Sequence, residues 1–487
     1  MTPTPRAPEA EGAFPSFRDP GGSLVEFEGR VLRMVGEDAA ARLRTFLHSA
    51  LHRELVAEGL LVPTRTPDDA HSLLARLSVD LSGRWSRGAV LFEHERVPFP
   101  SYPHEWPAEL LWEAGRLTVE LCQRTLTHGF GLKDATPYNV LFRGARPVFV
   151  DVLSLEPRDP ADFVWPAYGQ FVRTFLLPLA VWRFAGIPPA VVFLAYRDGL
   201  TPEQASRWLG PLVRLRRPVF TLATIPSWLS RRAERMGDRL HGTRRAADPE
   251  AARYVLQRLF RGLRGQLEQL KPPAHRHSYW TGYEEEAART APEAWRAKHD
   301  WVVGTLQRLR PRTVLDAGCN TGSFAEAAAT LGARVVAVDK DPVVVGVTWR
   351  RAAASGRDVL PLVVDLARPT PAVGWRNAEC RSFLDRARGA FDAVLMLALV
   401  HHLAVTERVP VEEMAALAAE LARQFVLVEF SPRDDPMFRR LVRGRGEPFE
   451  DWTPERFEAA FRRWFDVTSV AELPGSGRRL YCMVRRS

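Results

Sequence analysis

The strongest constraint on the fold of this chain is the segment TVLDAGCNTGSF, residues 313–324. A short apolar run there is followed by a glycine turn and then by the start of a helix. Gly318 and Gly322 let the backbone approach a ligand closely, and the helix N-terminus at Ser323 offers free N–H groups. Beyond it, strand-like and helix-like runs alternate, and the chain ends in two strands across a glycine-rich turn. This pattern predicts an α/β fold with a Rossmann-like sheet of seven strands, the last two forming an antiparallel hairpin at the sheet edge.

The glycine loop differs from one that binds a dinucleotide pyrophosphate, which reads G-x-G-x-x-G. Asn320 occupies the position of the middle glycine, the last glycine comes one residue early, and Asp316 lies two residues before Gly318. A carboxylate at this place repels a pyrophosphate, but it attracts an ammonium group such as that of S-adenosylmethionine (SAM).

Two further acidic residues follow the next two predicted strands, Asp339 in VVAVDKD and Asp365 in PLVVDL. Ligands of open α/β sheets bind beyond the carboxyl ends of the strands, so Asp339 can accept both ribose hydroxyls and Asp365 can receive the adenine amino group. Three acidic strand ends in succession therefore predict SAM as the cofactor, rather than a nucleotide or a purely structural domain. The predicted cofactor-binding residues are Asp316, Gly318, Cys319, Asn320, Gly322, Asp339, Lys340, Asp365 and Leu366.

Candidate catalytic residues follow the fourth and fifth predicted strands. His401 and His402 come just after FDAVLMLAL, and Glu429 ends FVLVEF. A histidine near pH 7 can take the proton of an attacking hydroxyl or amine, and Glu429 can orient a substrate. Alternatively, one histidine packs and the other caps a helix, since in-line placement alone can suffice for methyl transfer. Trp280 and Tyr283 either cover the cofactor, with cation–π attraction to its sulfonium, or pack the domain junction.

A second motif lies far upstream, in GLKDATPYNVLFRGARPVFVD, residues 131–151. Asp134, Asn139 five positions later, and Asp151 after a predicted strand follow the order of the catalytic loop in kinases and aminoglycoside-type phosphotransferases. In those enzymes the first Asp activates the hydroxyl, and the Asn and the second Asp hold metal. The motif therefore indicates a nucleotide and metal site for Mg-ATP in an α+β kinase-like module.

The match to that catalytic loop is incomplete. Leu132 stands where those enzymes have a histidine, DVL replaces Asp-Phe-Gly, and no G-x-G-x-x-G precedes the motif. Arg33, in RVLRMV, is the nearest substitute for the missing lysine, and an arginine is not an equivalent of a lysine. Three interpretations stay open: an active phosphotransferase, a nucleotide-binding pseudokinase, and a scaffold without activity. We predict no metal site elsewhere in the chain.

From about Ser278 to its C-terminus, the chain resembles bacterial class I SAM-dependent methyltransferases of the nodulation-associated type. The similar segments are VLDAGCNTGSF, VVAVDKD, GWRNAECRSFLDRA, LALVHHLA, VEFSPRDDPM and GRRLYCMVRR, together with SYPHEWP and HGFGLKDATPYNVLFRGARPVFVDVLSLEP upstream. The resemblance implies methyl transfer, and it carries the cofactor roles to Asp316, Gly318, Gly322, Asp339 and Asp365. Asn320 departs from the commoner glycine of the superfamily. The resemblance does not supply the methyl acceptor.

The chain length of 487 residues predicts two or three domains. We predict a flexible leader over residues 1–20, a kinase-like module over 21–245, a helical linker over 246–277 and a methyltransferase domain over 278–487. Within the module, we predict strands in 23–35 and 89–99, one helix over 38–59 and mainly helices from about residue 160. The apolar stretch 175–196 is broken by Arg183 and three prolines, so two short buried helices are predicted there rather than a membrane span.

Charge and cysteine usage restrict the partners and the location. Residues 201–247 hold ten arginines against Glu203, Glu234 and Asp238. A helix predicted in this stretch has on one face Trp228, Arg232, Arg235 and Arg239. Cysteines without a CxxC pair, and an N-terminus without an apolar run, predict a cytoplasmic protein.

The predicted function is methyl transfer from SAM to a small molecule, a glycan or a protein, with the N-terminal module as scaffold or pseudokinase. Nucleic acid is not the favoured partner, but an RNA methyltransferase guided by the arginine-rich stretch is one alternative. The others are a bifunctional phosphotransferase–methyltransferase and a noncatalytic SAM-binding platform. Weak contact of the arginine-rich helix with a membrane surface is also open. The sequence does not indicate the oligomeric state.

Overall fold

The structure is a computed structural model, and it describes residues 21–77, 89–224, 248–274, 276–443 and 449–486. The predicted leader lies outside the described residues. So does the helix predicted with Trp228 and three arginines on one face, within residues 225–247.

The N-terminal part begins with an antiparallel sheet whose strand order is β1-β2-β4-β3. The strands are β1 (Gly22–Phe27), β2 (Arg30–Val35), β3 (Thr64–Arg65) and β4 (Val90–His94). The strands predicted in 23–35 and 89–99 are therefore present, the first as a hairpin.

The single helix predicted over 38–59 is wrong, because the structure has two helices there. They are α1 (Glu37–Leu47) and α2 (Ala50–Ala57). The Ser49 hydroxyl accepts a hydrogen bond from the backbone N–H of His52. A serine at this place satisfies a free N–H of a new helix, so the chain stops one helix and starts another.

The short helix α3 (Ala70–Leu77) precedes β4, and the long helix α4 (Ala108–Thr127) follows it. Two antiparallel strand pairs come next. The strands β6 (Val140–Arg143) and β7 (Arg146–Phe149) form a hairpin, which lies in the chain between β5 (Phe130–Leu132) and its partner β8 (Leu155–Pro157). Helix α4 is buried along most of its length, because it packs against β5, β7 and a later helix.

The next stretch is helical, as predicted. Its helices are α5 (Tyr168–Phe171), α6 (Leu177–Ala185), α7 (Pro189–Ala195), α8 (Pro202–Trp208), α9 (Pro211–Arg214) and α10 (Pro249–Gln269). Gly186 ends α6 in a left-handed conformation, with φ of 76°. The apolar stretch thus forms two short helices, and none of the helices in the described ranges is long and apolar enough to cross a membrane.

The C-terminal part is a seven-stranded sheet with the order β11-β10-β9-β12-β13-β15-β14. Its strands are β9 (Thr313–Ala317), β10 (Arg334–Asp339), β11 (Val359–Val363), β12 (Phe391–Met396), β13 (Ala422–Phe430), β14 (Phe465–Glu472) and β15 (Arg479–Arg485). Strands β9 to β13 pair in parallel, and β15 is antiparallel to both of its neighbours. The predicted α/β fold and its edge hairpin are confirmed.

Helices cover this sheet, so its central strands are buried on both faces, as parallel sheets require. They are α11 (Tyr283–Thr290), α12 (Pro292–Leu309), α13 (Ser323–Thr330), α14 (Pro342–Ser355), α15 (Phe383–Ala387), α16 (Val400–Val405), α17 (Val411–Leu421), α18 (Pro436–Val442) and α19 (Pro454–Phe461). Helix α14 also packs against α4 of the N-terminal part. The domain limits at residues 20, 245 and 277 stay predictions.

Candidate active site

A cleft lies at the carboxyl ends of the parallel strands. Ligands of open α/β sheets bind at this place. The predicted residues that line it are Asp316, Gly318, Cys319, Asn320, Asp339, Lys340, Asp365, Leu366 and His402, together with Trp280 and Tyr283. His401 and Glu429 do not line it, and neither does Gly322.

The glycine loop turns through left-handed backbone conformations at Gly318, Asn320 and Gly322, with φ of 78°, 49° and 85°. Gly322 is needed for packing, because a Cβ there would lie 2.5 Å from the Cγ2 of Thr348 on α14. Asn320, which replaces a glycine, has a clear contact: its Nδ2 donates a hydrogen bond of 3.1 Å to the carbonyl of Trp280. The loop thereby holds the aromatic segment over the cleft.

Asp316 is the least compensated charge of the cleft. It is 2% exposed, and its Oδ2 has no hydrogen-bond partner among the described residues. Burial, together with the nearby carboxylates of Glu284 and Asp339, raises the pKa of Asp316 to about 7. A cation placed beside this oxygen would compensate it, so the site fits the ammonium end of SAM.

Glu284, on α11, is a cleft residue that the sequence analysis missed. It accepts a hydrogen bond of 2.6 Å from the hydroxyl of Thr321 and another from the hydroxyl of Ser323. Its neighbours Glu285 and Glu286 make the same helix turn acidic. Nothing in the sequence distinguishes Glu284 from them, since the choice depends on which face of α11 meets the loop.

Asp339 and Asp365 are both oriented by backbone N–H groups. The carboxylate of Asp339 accepts hydrogen bonds from the N–H groups of Asn320 and Asp341, each 3.0 Å long. Burial raises the pKa of Asp339 to about 6. Asp365 accepts a hydrogen bond of 3.0 Å from the N–H of Ala367. Both carboxylates are thus held at the cleft wall, where the sequence analysis expected the ribose and the adenine.

The two histidines have different environments. His401 is fully buried, with its Nδ1 3.2 Å from the hydroxyl of Ser431. His402 lines the cleft and meets the ring of Trp280 edge-on, with 5.2 Å between the ring centroids. Burial, and then the cations of Lys340 and Arg478, lower the pKa of His402 to about 4. Its imidazole is therefore neutral near pH 7.

Glu429 lies behind the cleft wall in a buried ion-pair network. Its carboxylate is 2.6 Å from Nζ of Lys298 and 3.0 Å from the guanidinium of Arg478. Burial would raise the pKa of Glu429, but these two cations outweigh it and hold the pKa at about 2. The carboxylate also accepts a hydrogen bond of 2.9 Å from the N–H of Ala398, a cleft residue with φ of 50°. The sequence analysis missed Lys298 and Arg478.

The upstream motif has a different arrangement. One carboxylate oxygen of Asp151 lies 3.0 Å from a guanidinium nitrogen of Arg33, and the other accepts a hydrogen bond from the hydroxyl of Ser154. Arg33 also donates a hydrogen bond of 3.1 Å to the ring of His94. Asn139 lies nearby in sequence with a buried Nδ2 that has no partner among the described residues. Asp134 is partly exposed. Over the described residues, no three His, Cys, Asp or Glu side chains come together as a metal site.

The sheet, the acidic strand ends and the cleft define a class I SAM-dependent methyltransferase, and residues 286–473 match a family model described as a methyltransferase domain. Over 482 residues the chain is 31% identical to the nodulation protein NoeA of Rhizobium meliloti (strain 1021), covering 98% of this chain and 97% of that protein. The chain therefore belongs to the family of NoeA.

Solved structures that match part of this chain include methyltransferases. One is the magnesium protoporphyrin IX methyltransferase ChlM of Synechocystis PCC 6803 with bound SAH, which is 22% identical and covers 40% of this chain and 84% of that chain, with a TM-score of 0.28. Another is the N-methyltransferase NodS of Bradyrhizobium japonicum WM9, at 15% identity, 40% and 97% coverage and a TM-score of 0.30. The bifunctional kinase-methyltransferase WbdD is 18% identical, with 38% and 37% coverage and a TM-score of 0.28.

Proposed function

We propose that the methyl acceptor of this enzyme is a hydroxyl group of a small molecule, a glycan or a protein. The observation that carries the proposal is that one cleft holds a buried carboxylate at Asp316, whose Oδ2 has no hydrogen-bond partner among the described residues, and a neutral histidine at His402. The first suits the cationic end of the cofactor, and the second suits a hydroxyl that must lose its proton.

The cofactor residues divide by chemistry. Asp316 would hold the ammonium group, with Glu284 close by. Asp339 would accept the ribose hydroxyls, and Asp365 with Leu366 would face the adenine. When bound, SAM supplies a methyl group on a positively charged sulfur. The aromatic rings of Trp280 and Tyr283 line the same cleft, where they exclude water and attract a cation.

His402 would accept the proton of the acceptor hydroxyl. An oxygen that gains a methyl group becomes strongly acidic while its proton is still attached, so a base with a pKa of about 4 is strong enough to take that proton. A neutral imidazole at the cleft surface has this capacity over the whole range above about pH 5. His401 has no access to the cleft, so its role is packing.

Glu429 acts as a positioning residue in this proposal. Its hydrogen bond to the N–H of Ala398 holds a left-handed backbone conformation, which is unfavourable for a residue with a Cβ and needs support. Ala398 lines the same cleft as the cofactor residues and His402. With its charge already neutralised by Lys298 and Arg478, Glu429 is poorly suited to take a proton.

For the N-terminal module we propose a scaffold role. Arg33 and Ser154 already bind the carboxylate of Asp151, so a metal ion would have to displace them. Mg-ATP binding, and with it the bifunctional alternative, requires that this ion pair break. Calorimetric titration of the purified protein with Mg-ATP tests the scaffold role, and heat that disappears in Asp151→Ala would reject it.

Labelled SAM and a cell extract that contains the acceptor test the methyl-transfer proposal. We expect label to enter a small-molecule, glycan or protein fraction with the wild type and not with Asp339→Ala. His402→Gln should lower the rate about 10²- to 10⁴-fold, the usual contribution of a general base, with SAM affinity retained. A wild-type rate in His402→Gln would reject the proton-transfer role. Label that ribonuclease removes would favour the RNA alternative instead.

A further inference from the structure

Two glutamates of the N-terminal part are buried against the C-terminal part. Glu105 and Glu109 are 0% and 6% exposed, and they come from the short turn Pro103–Glu105 and the first turn of α4. Buried carboxylates are costly unless they are paired and hydrogen-bonded. The residues of the C-terminal part that pair with these two glutamates therefore indicate the function of Glu105 and Glu109.

Glu109 supports helix α14. It forms an ion pair with Arg350, and a Cβ on Gly346 would lie 2.5 Å from its Oε2, so the helix rests directly on this carboxylate. Gly346 and Arg350 are four residues apart and share one face of α14. The helix begins at Pro342, three residues after Asp339.

The neighbouring residues of α14 hold the glycine loop. The hydroxyl of Thr348 donates a hydrogen bond of 2.9 Å to the carbonyl of Asn320, and Arg351 donates one of 3.0 Å to the carbonyl of Thr321. One helix thus connects the buried carboxylate of Glu109 to the loop and to the strand end that carries Asp339.

Glu105 supports the next strand end. Its carboxylate accepts a hydrogen bond of 2.5 Å from the hydroxyl of Thr370 and forms an ion pair with Arg386. Thr370 lies five residues after Asp365 on the segment that leaves β11. Both acidic residues assigned to the adenosine part of the cofactor are therefore followed by elements that a glutamate of the N-terminal part fixes.

We propose that Glu105 and Glu109 are positioning residues for the adenosine end of SAM, so that the N-terminal module forms the rear support of the cofactor site. The proposal rests on the cofactor placement given under the proposed function. The N-terminal module would thus contribute to SAM binding without itself binding or hydrolysing a nucleotide.

Calorimetric titration of the full-length protein with two ligands tests this proposal. SAM carries both the adenosine and the amino-acid ends, whereas methylthioadenosine lacks the amino-acid end. We expect Glu105→Gln and Glu109→Gln to weaken both ligands by the same factor, about 5- to 50-fold. Glu284→Gln, at the other end of the cleft, should weaken SAM and leave methylthioadenosine unchanged.

Leu121→Ala is the matched control for lost stability. Leu121 is buried on α4, twelve residues from Glu109 and therefore about 18 Å along the helix. Its truncation should lower the melting temperature through a core cavity without changing either affinity. Thr370→Val is a milder variant that removes only the hydroxyl bond to Glu105, and we expect it to weaken both ligands about threefold.

Wild-type affinities in the glutamate variants and in Thr370→Val, well below their melting temperatures, would overturn the proposal. Weakened SAM with unchanged methylthioadenosine would also overturn it, because the effect would then lie at the amino-acid end. A different result would show that the proposed placement of the cofactor is wrong. In that case methylthioadenosine would bind Asp339→Ala as tightly as it binds the wild type.

Discussion

The two acidic sites of this chain were both visible in the sequence, and they differ in how their carboxylates are compensated. In the N-terminal motif, Asp151 is bound by Arg33 and Ser154. In the C-terminal cleft, Asp316 keeps a buried oxygen that accepts no hydrogen bond from a described residue. A motif shows that carboxylates are present, but the pairing shows whether they are available. This difference supports the cofactor role that we propose for the cleft and the scaffold role that we propose for the N-terminal module.

The largest difference between the two sites should be found in how much a charge-removing substitution lowers the free energy of unfolding. Glu429→Gln leaves Lys298 without its buried counter-charge, while Arg478 keeps its ion pair with Asp435. Breaking a buried pair of this kind costs about 3–5 kcal/mol. Asp151 is more exposed, at 16% of its side chain, and its partner Arg33 keeps a hydrogen bond to the ring of His94. Asp151→Asn should therefore cost less, about 1–3 kcal/mol. Urea unfolding of both variants measures the difference. Equal losses would contradict the ranking of the two sites.

The next largest effect concerns binding. Asp339→Ala should weaken SAM about 100-fold, because it removes the carboxylate assigned to the ribose hydroxyls, and charged hydrogen bonds contribute about 1.5–3 kcal/mol each. Asp151→Ala should leave SAM affinity unchanged. Calorimetric titration of both variants gives the comparison. A SAM affinity that depends on Asp151 would mean that the two sites are coupled.

The pH dependence should separate Asp316 from the remaining carboxylates. Its raised pKa of about 7 means that the cation-binding, ionised form is a minority below pH 7, so SAM affinity should rise about tenfold from pH 6 to pH 8. In the ligand-free protein, the stability of the fold should change with pH in the opposite direction to the SAM affinity. A carboxyl with a raised pKa stabilises the fold at low pH, and this stability is lost as the pH rises from about 4 through 7.

Asp316→Asn provides the control for that pH profile. The variant should bind SAM more weakly and with less dependence on pH. The pH dependence that remains should come from the titration of Asp339, whose pKa is about 6. Isothermal titration at several pH values measures the affinity, and thermal melting with and without SAM measures the stability. A wild-type SAM affinity that is flat between pH 6 and pH 8 would contradict the assignment of Asp316.

The smallest effect should be a change in the pKa of His402 when its neighbour Trp280 is truncated. Its low pKa follows chiefly from burial, to which the ring of Trp280 contributes by packing against it. Trp280→Ala should therefore move the pKa of His402 upward from about 4 toward the ordinary histidine value. Proton NMR titration of the histidine ring resonances follows this change, and His402→Gln identifies the signal. An unchanged pKa of His402 would mean that residues other than Trp280 shield its ring from water.

The sequence predicted local features of the cleft well, because strands, turns and strand-end residues are encoded within short segments. The seven-stranded sheet and the acidic ends at Asp316, Asp339 and Asp365 belong to this class. The end of α1 and the start of α2 were also encoded locally, by the serine at position 49. They were missed because apolar residues recur at helical spacing across both helices. His401 and His402 are adjacent, and only the packing of α16 decides which of them reaches the cleft.

Pairings between distant segments could not be predicted in the same way. Lys298 meets Glu429 across 131 positions, and Arg33 meets Asp151 across 118. Each pairing depends on how elements pack, which no short segment encodes. Glu284 was missed for the same reason, since the face of α11 that contacts the loop is set by the sheet behind it.

The support of α14 by Glu109 has a practical consequence for protein engineering. A fragment cut out at the start of the methyltransferase sequence would carry Arg350 and Arg386 into water without their carboxylates, and it would leave Gly346 facing empty space. Trp349 would also lose its hydrogen bond of 3.3 Å to the carbonyl of Ala145. A designer who wishes to transplant this catalytic unit into another protein should therefore move it together with the segment from Pro103 to Glu109, or rebuild that surface with new partners.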